Sequence, residues 1–110
     1  MSDAFTLDPR LEADSIPLLD MRLSTVRLMN DVRFSWLLMV PRKAGLSEII
    51  DLDVEERALL MEEISLACRA LKAVTGCDKL NVGALGNVVR QLHVHVVARF
   101  EGDAAWDGPV

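Results

Sequence analysis

Polar and apolar positions divide the chain into short alternating segments and one long helical stripe. Asp8 to Asp14 (DPRLEAD) reads as a short helical turn with Pro9 at its first position. SIPLLDMRLSTVRLMND then gives two short strands, Ser15 to Met21 and Ser24 to Met29. After a turn at Asn30-Asp31, FSWLLMVP is a third strand ending at Pro41. RKAGLSEIIDL reads as a loop. In DVEERALLMEEISLACRALKAVTG, Asp53 with Glu56 three residues on forms a capping box. Leu60, Ile64, Ala67, Leu71 and Val74 fall on one helical stripe, and Gly76 supplies a stop. Glu55, Glu62, Arg69 and Lys72 lie away from that stripe, on a solvated face. KLNVGAL and QLHVHVVARF are two further strands joined by a tight connection at Gly86-Asn87, before a polar tail, EGDAAWDGPV. No repeat, low-complexity run or linker interrupts the order. Strands, one long helix, then strands predict a single α+β domain over residues 1–110, built on an antiparallel sheet.

Composition narrows the class. The 110 residues are 51% hydrophobic and 26% charged, too apolar for a disordered chain. The longest uncharged apolar stretch, Phe34 to Pro41, is far too short to span a bilayer, and MSDAFTLDPRLEAD puts acids where a signal peptide needs a basic and then an apolar segment. Cys68 and Cys77 are not spaced as a metal knuckle and read as reduced structural thiols of a cytoplasmic protein. A net charge of −5, with no basic block, argues against long nucleic acid, whose binding needs many phosphate contacts. A small anion needs only a few local donors and stays open.

Chemistry concentrates in the last strand, which carries the chain's two histidines. Alternation puts Gln91, His93, His95, Val97 and Arg99 on one face and Leu92, Val94, Val96 and Ala98 on the other. The second set is uniformly apolar and is expected against the helix stripe. The imidazoles then project from the opposite face, about 7 Å apart by strand rise. Three readings follow. The pair is a solvent-facing surface feature; or it ligates a metal, with a third ligand from Asp, Glu or Cys; or it performs covalent catalysis, one imidazole attacking while its neighbour assists.

GNVVRQLHVHVV resembles the signature of the histidine triad (HIT) family of nucleotide hydrolases and transferases, His-φ-His-φ-His-φ-φ preceded by a glycine and a polar residue. Gly86, Asn87, Val89 and Leu92-His93-Val94-His95-Val96-Val97 fit that register. KLNVGALG and RLMNDVRFSWLLMVPRKAG resemble further segments, so the likeness covers about Ser24 to Phe100. It implies a five-stranded antiparallel sheet with one long helix packed on it. Two positions depart: Gln91 stands at the first triad histidine, and Trp36 stands where many members carry another histidine before Val40-Pro41. The Gln-led form resembles a bacterial subgroup of diadenosine polyphosphate hydrolases.

By the same resemblance, His93 is the nucleophile on the α-phosphorus, its attacking nitrogen freed by a carbonyl near Gln91 that holds the other N–H. His95 would donate to the phosphate or departing oxygen. Gln91 could orient the phosphate but cannot titrate. Asn87 and the amides after Gly86 would hold non-bridging oxygens, and Asn81 is a candidate ribose or phosphate contact. Asn30 is implied near the ribose, with Leu28 and Phe5 near the base, although Asn30-Asp31 equally reads as turn chemistry. Arg99 shares the histidine face, yet its distance suggests a surface role; Arg90 has the opposite parity. Trp36 shares parity with Phe34 and Leu38 and reads as core, and Trp106 could close over the site or a partner subunit. No cofactor is required, although a divalent cation could accompany the substrate phosphates. The resemblance further implies a homodimer joined through the long helix and the KLNVGAL strand, acting on dinucleoside polyphosphates or nucleoside phosphoramidates. A nucleotide-binding module with little turnover is the alternative.

Overall fold

The computed structural model describes residues 4–110. A short helix α1 (Pro9–Ala13) leads into strands β1 (Ser15–Asp20), β2 (Ser24–Met29) and β3 (Trp36–Pro41). Helix α2 (Val54–Thr75) follows, then β4 (Lys79–Gly83) and β5 (Val94–Arg99). The strands form one antiparallel sheet in the order β1-β2-β3-β5-β4. The expected α+β class, five strands and single long helix are all present.

The sequence explains most of the boundaries. Asp8 caps α1 by accepting from the Arg10 N–H, with Pro9 at the first helical position. Asp53 and Glu56 form the reciprocal capping box of α2, and Gly76 closes it at φ 65°. Several boundaries fall inside those expected. β1 stops at Asp20 after a register shift between Pro17 and Leu19, which suits an edge strand where proline donates no ladder bond. β3 starts at Trp36 rather than Phe34, and β4 ends at Gly83 rather than Leu85. β5 starts at Val94, because the Leu92 N–H leaves the sheet to bond the Leu46 carbonyl. Residues 84–93 are therefore a long connection, not a tight turn at Gly86-Asn87, and the loop after β3 contains a 3-10 turn at Ile49–Asp51.

Register shows which residues share a face. Val26 opposes Met39, Met39 opposes Val94 and Leu37 opposes Val96, so these point toward α2. There Leu60, Ile64, Ala67 and Leu71 meet Leu92, Val94, Val96 and Ala98 in the main core. Truncating one such leucine typically costs about 2–5 kcal/mol. Val74 departs from the expected stripe: it is 85% exposed, on the last turn of α2. Glu55, Glu62, Arg69 and Lys72 are exposed as expected. Glu63, by contrast, is buried and accepts the N–H groups of Leu23 and Ser24, fastening α2 to the β1–β2 turn.

The other face is not bare. Leu38 and Val40 pack there with Leu11 of α1 and Val89, backed by Phe5, Leu7 and Met29. This second apolar layer overturns the reading of the histidine face as a solvated surface. The N-terminal segment and α1 cover one half of it, and the C-terminal tail covers the other.

Candidate active site

His93 lies just before β5 and is 7% exposed. Its Nδ1 stands 2.6 Å from the carbonyl oxygen of Gln91. A carbonyl only accepts, so Nδ1 carries a hydrogen, and in the neutral ring Nε2 then holds the lone pair. His95 is the second residue of β5 and opposes Leu38 on β3 and Gly83 on β4. The indole Nε1–H of Trp36 donates to its Nδ1 at 2.9 Å. Indole is a donor only, which places the His95 hydrogen on Nε2. The two imidazoles thus carry opposite tautomers: His93 offers a lone pair where His95 offers an N–H. Their ring centroids are 4.9 Å apart in an edge-to-face arrangement. Burial first, then the neighbouring His93, pushes the His95 pKa down from 6.5 to about 4.

The pair sits between two cavities. His93 opens into one of about 200 Å³, shared with Gly86, Gln91, Ser47 and Glu48. His95 opens into a largely apolar one of about 350 Å³, with Trp36, Asn81, Val97 and Pro109. Leu85 lines both. Gly86 shapes the first: its φ of 74° belongs to glycine, and a Cβ there would meet the Val89 oxygen at 3.3 Å. The main-chain N–H groups of Asn87, Val88 and Val89 have no acceptor among the described residues, and Gly86, which precedes them, lines the cavity into which His93 opens. Such a loop can hold an anion. No group of three or more His, Cys, Asp and Glu side chains is placed to bind a metal among the described residues.

Gln91 does something that spacing did not suggest. Its Nε2 donates to the Thr6 carbonyl and its Oε1 accepts from the Asp8 N–H, both at 2.8 Å. The carboxamide closes one residue pair of the N-terminal segment as a neighbouring strand would. An imidazole could not supply a donor and an acceptor side by side in this way. The residue at the first triad position is therefore a clamp on the segment that carries Phe5 and Leu7.

The remaining candidates are scattered. Asn30 is exposed, its N–H bonded to the Asp14 carbonyl. Asp31 accepts from the Arg33 N–H and pairs with its guanidinium, which is turn chemistry. Asn87 is exposed on the Gly86 loop, and Arg90 is exposed as well. Asn81 lines the His95 cavity, but its Oδ1 accepts from Arg99 Nη1 at 2.7 Å. Arg99 is not at the surface, as its distance from the histidines suggested: its side chain is 2% exposed. It makes a two-point contact with Asp103, donates to the Gly108 carbonyl, and lies over the rings of Phe34 and Trp106. Trp106 closes over Arg99, not over the histidines. The clue to this hub was Asp103, an acid four residues after Arg99. Trp36 likewise departs from the expected core placement. It is half-buried, and its opposition to Val97 puts it diagonally beside His95 on the same face.

The fold recurs in solved structures. A histidine triad protein of Bradyrhizobium japonicum superposes with a TM-score of 0.96 at 54% identity, covering 98% of this chain and 81% of its own. A histidine triad (HIT) protein of Sinorhizobium meliloti gives 0.95 at 53% identity, with coverages of 96% and 78%. A histidine triad protein of Marinobacter aquaeolei gives 0.96 at 44%, with coverages of 98% and 79%. No curated protein matches the chain. The HIT domain family model matches residues 10–102, a span that holds the sheet, α2 and both histidines, and the chain belongs to that family.

Proposed function

We propose that the protein is a nucleotide phosphohydrolase or nucleotidyl transferase working through a covalent nucleotidyl-histidine. The observation that carries this reading is the pair of opposite tautomers at His93 and His95, held in ring contact between two cavities. HIT membership supports nucleotide binding and hydrolase or transferase chemistry.

In the proposed sequence, Nε2 of His93 attacks the α-phosphorus. The bond to the leaving group breaks and its electron pair departs with the leaving atom. The Gln91 carbonyl keeps the His93 Nδ1–H and stabilises the positive charge that forms on the ring. Nε2–H of His95 and the amides after Gly86 donate to the non-bridging oxygens, stabilisation that can exceed other contributions in such sites. Water then attacks the phosphorus, loses a proton to solvent and releases a nucleoside monophosphate and neutral His93. Asn87 would assist from the loop, and Asn81 and Asn30 are proposed ribose or phosphate contacts. For Asn81 this requires its amide nitrogen, since Arg99 engages the oxygen. A divalent cation would enter with the substrate phosphates. A homodimer through α2 and β4 is part of the same proposal: β4 is a sheet edge and Val82 on it is 49% exposed.

The test is the stereochemical course at an α-phosphorothioate of a dinucleoside polyphosphate. Two in-line displacements through His93 retain configuration. Inversion would mean direct attack by water, and nucleotide binding without any turnover would favour the binding-module reading.

A further inference from the structure

We propose that Trp36 is a positioning residue that locks His95 as a neutral Nε2–H donor, leaving the His95 cavity without an acid, so that the site cleaves only bonds whose leaving group departs there as an anion. The inference rests on the phosphoryl-transfer reading above and names the substrate class within it.

The geometry has three parts. The indole N–H points at Nδ1 of His95 at 2.9 Å, with the rings 5.4 Å apart and inclined by 56°. Protonating Nδ1 would set two N–H groups against each other, so His95 becomes an imidazolium only if Trp36 moves away. In the neutral form Nε2–H is a hydrogen-bond donor, not an acid of useful strength near neutral pH. Second, the residue at the first triad position is an amide that does not titrate, and both of its polar ends are bonded to Thr6 and Asp8. Third, no Asp, Glu, Lys or Arg side chain lines the His95 cavity among the described residues, and the one carboxyl side chain on the His93 cavity, Glu48, is exposed to solvent. β3 presents Trp36 to His95, β4 presents Gly83, and the tail brings Pro109 and Val110 to the cavity. His93 is the one titratable side chain in ring contact, and its Nδ1–H is held by Gln91.

The consequence follows from bond-breaking. When His93 Nε2 forms its bond to phosphorus, the leaving atom receives the electron pair of the broken bond. A phosphate, a nucleotide or a nitrophenolate carries that charge into water unaided. An amine must gain a proton as the P–N bond breaks, and neither His95 nor Gln91 can deliver one. Phosphoanhydrides and activated esters are therefore substrates, and phosphoramidates are poor ones.

The experiment compares 4-nitrophenyl, 4-chlorophenyl and phenyl esters of AMP with adenosine 5′-phosphoramidate, using the native protein and Trp36→Phe. For the native protein kcat/KM is expected to fall steeply, about tenfold per unit of leaving-phenol pKa, with the phosphoramidate slowest. In Trp36→Phe, Nδ1 is free to protonate; the slope flattens and a new ionisation enters the pH profile nearer the ordinary histidine value. A flat native series with the phosphoramidate cleaved as fast as the nitrophenyl ester overturns the proposal, and so does a Trp36→Phe variant whose slope and pH profile are native. Imidazole ¹⁵N spectra keep the lock separate from turnover. Native His95 should stay Nε2–H neutral from about pH 5 to about pH 8 and titrate in Trp36→Phe. An inactive protein with this spectrum retains the lock and refutes the phosphoryl-transfer reading; a native His95 that titrates in that range overturns the lock itself.

Discussion

Gln91 holds His93 through its main chain and the N-terminal segment through its side chain. The carbonyl holds His93 Nδ1 at 2.6 Å, and the carboxamide grips Thr6 and Asp8. One residue therefore ties the orientation of the His93 imidazole to the placement of the N-terminal segment. Gln91→Ala should lower stability by about 1–3 kcal/mol, for two lost hydrogen bonds in a part-buried setting. It should also raise amide exchange at residues 5–8 before exchange rises in α2. Gln91→His should not restore protection, because a histidine ring cannot bridge a donor and an acceptor on one strand edge.

Glycine at position 86 is required by its backbone, at φ 74°, and by the Val89 oxygen 3.3 Å from where a Cβ would stand. Gly86→Ala is expected to lose about 1–2 kcal/mol from the left-handed conformation alone. Because the loop lines the His93 cavity, kcat/KM should fall while the circular dichroism of the sheet and helix stays native. Equilibrium denaturation and a rate assay on one preparation check both.

Acid should weaken the fold through His95. Its folded pKa is depressed to about 4 by burial and then by His93, against 6.5 for a free histidine. Between those values the unfolded chain binds a proton that the native site refuses, so stability falls as pH drops from about 6.5 toward about 4. Urea denaturation at several pH values should show this slope, and His95→Leu should reduce it.

The Arg99–Asp103 contact should hold the tail. Arg99 first of all keeps the Asp103 carboxyl far below the usual carboxylate range, so the pairing persists at any pH above that range and is lost only in strong acid. Asp103→Ala should free residues 103–110, seen as faster proteolysis there. It should also alter the His95 cavity, which Pro109 and Val110 line, with little change at His93.

Much of the fold was legible in the chain. The α2 stripe, its capping box and the glycine stop are local signals, and alternation from Leu92 into β5 correctly assigned Leu92, Val94, Val96 and Ala98 to the core. The site was legible only through the resemblance at Gly86 to Val97. The parts that sequence did not yield are long-range. Gln91 meets Thr6 across 85 positions and Trp36 meets His95 across 59, and no local pattern encodes such pairs. The burial of Arg99 was misread for a related reason, since alternation reports which face a residue takes and not whether a tail covers it.

The covalent step is the central claim, and rapid quench with an adenine-labelled dinucleoside polyphosphate followed by intact mass tests it most directly. An AMP-sized adduct on the native protein is expected. His93→Ala should abolish it and lower kcat by about 10³-fold or more. Turnover with no adduct at any quench time, or an adduct that survives in His93→Ala, would contradict nucleophilic catalysis by His93.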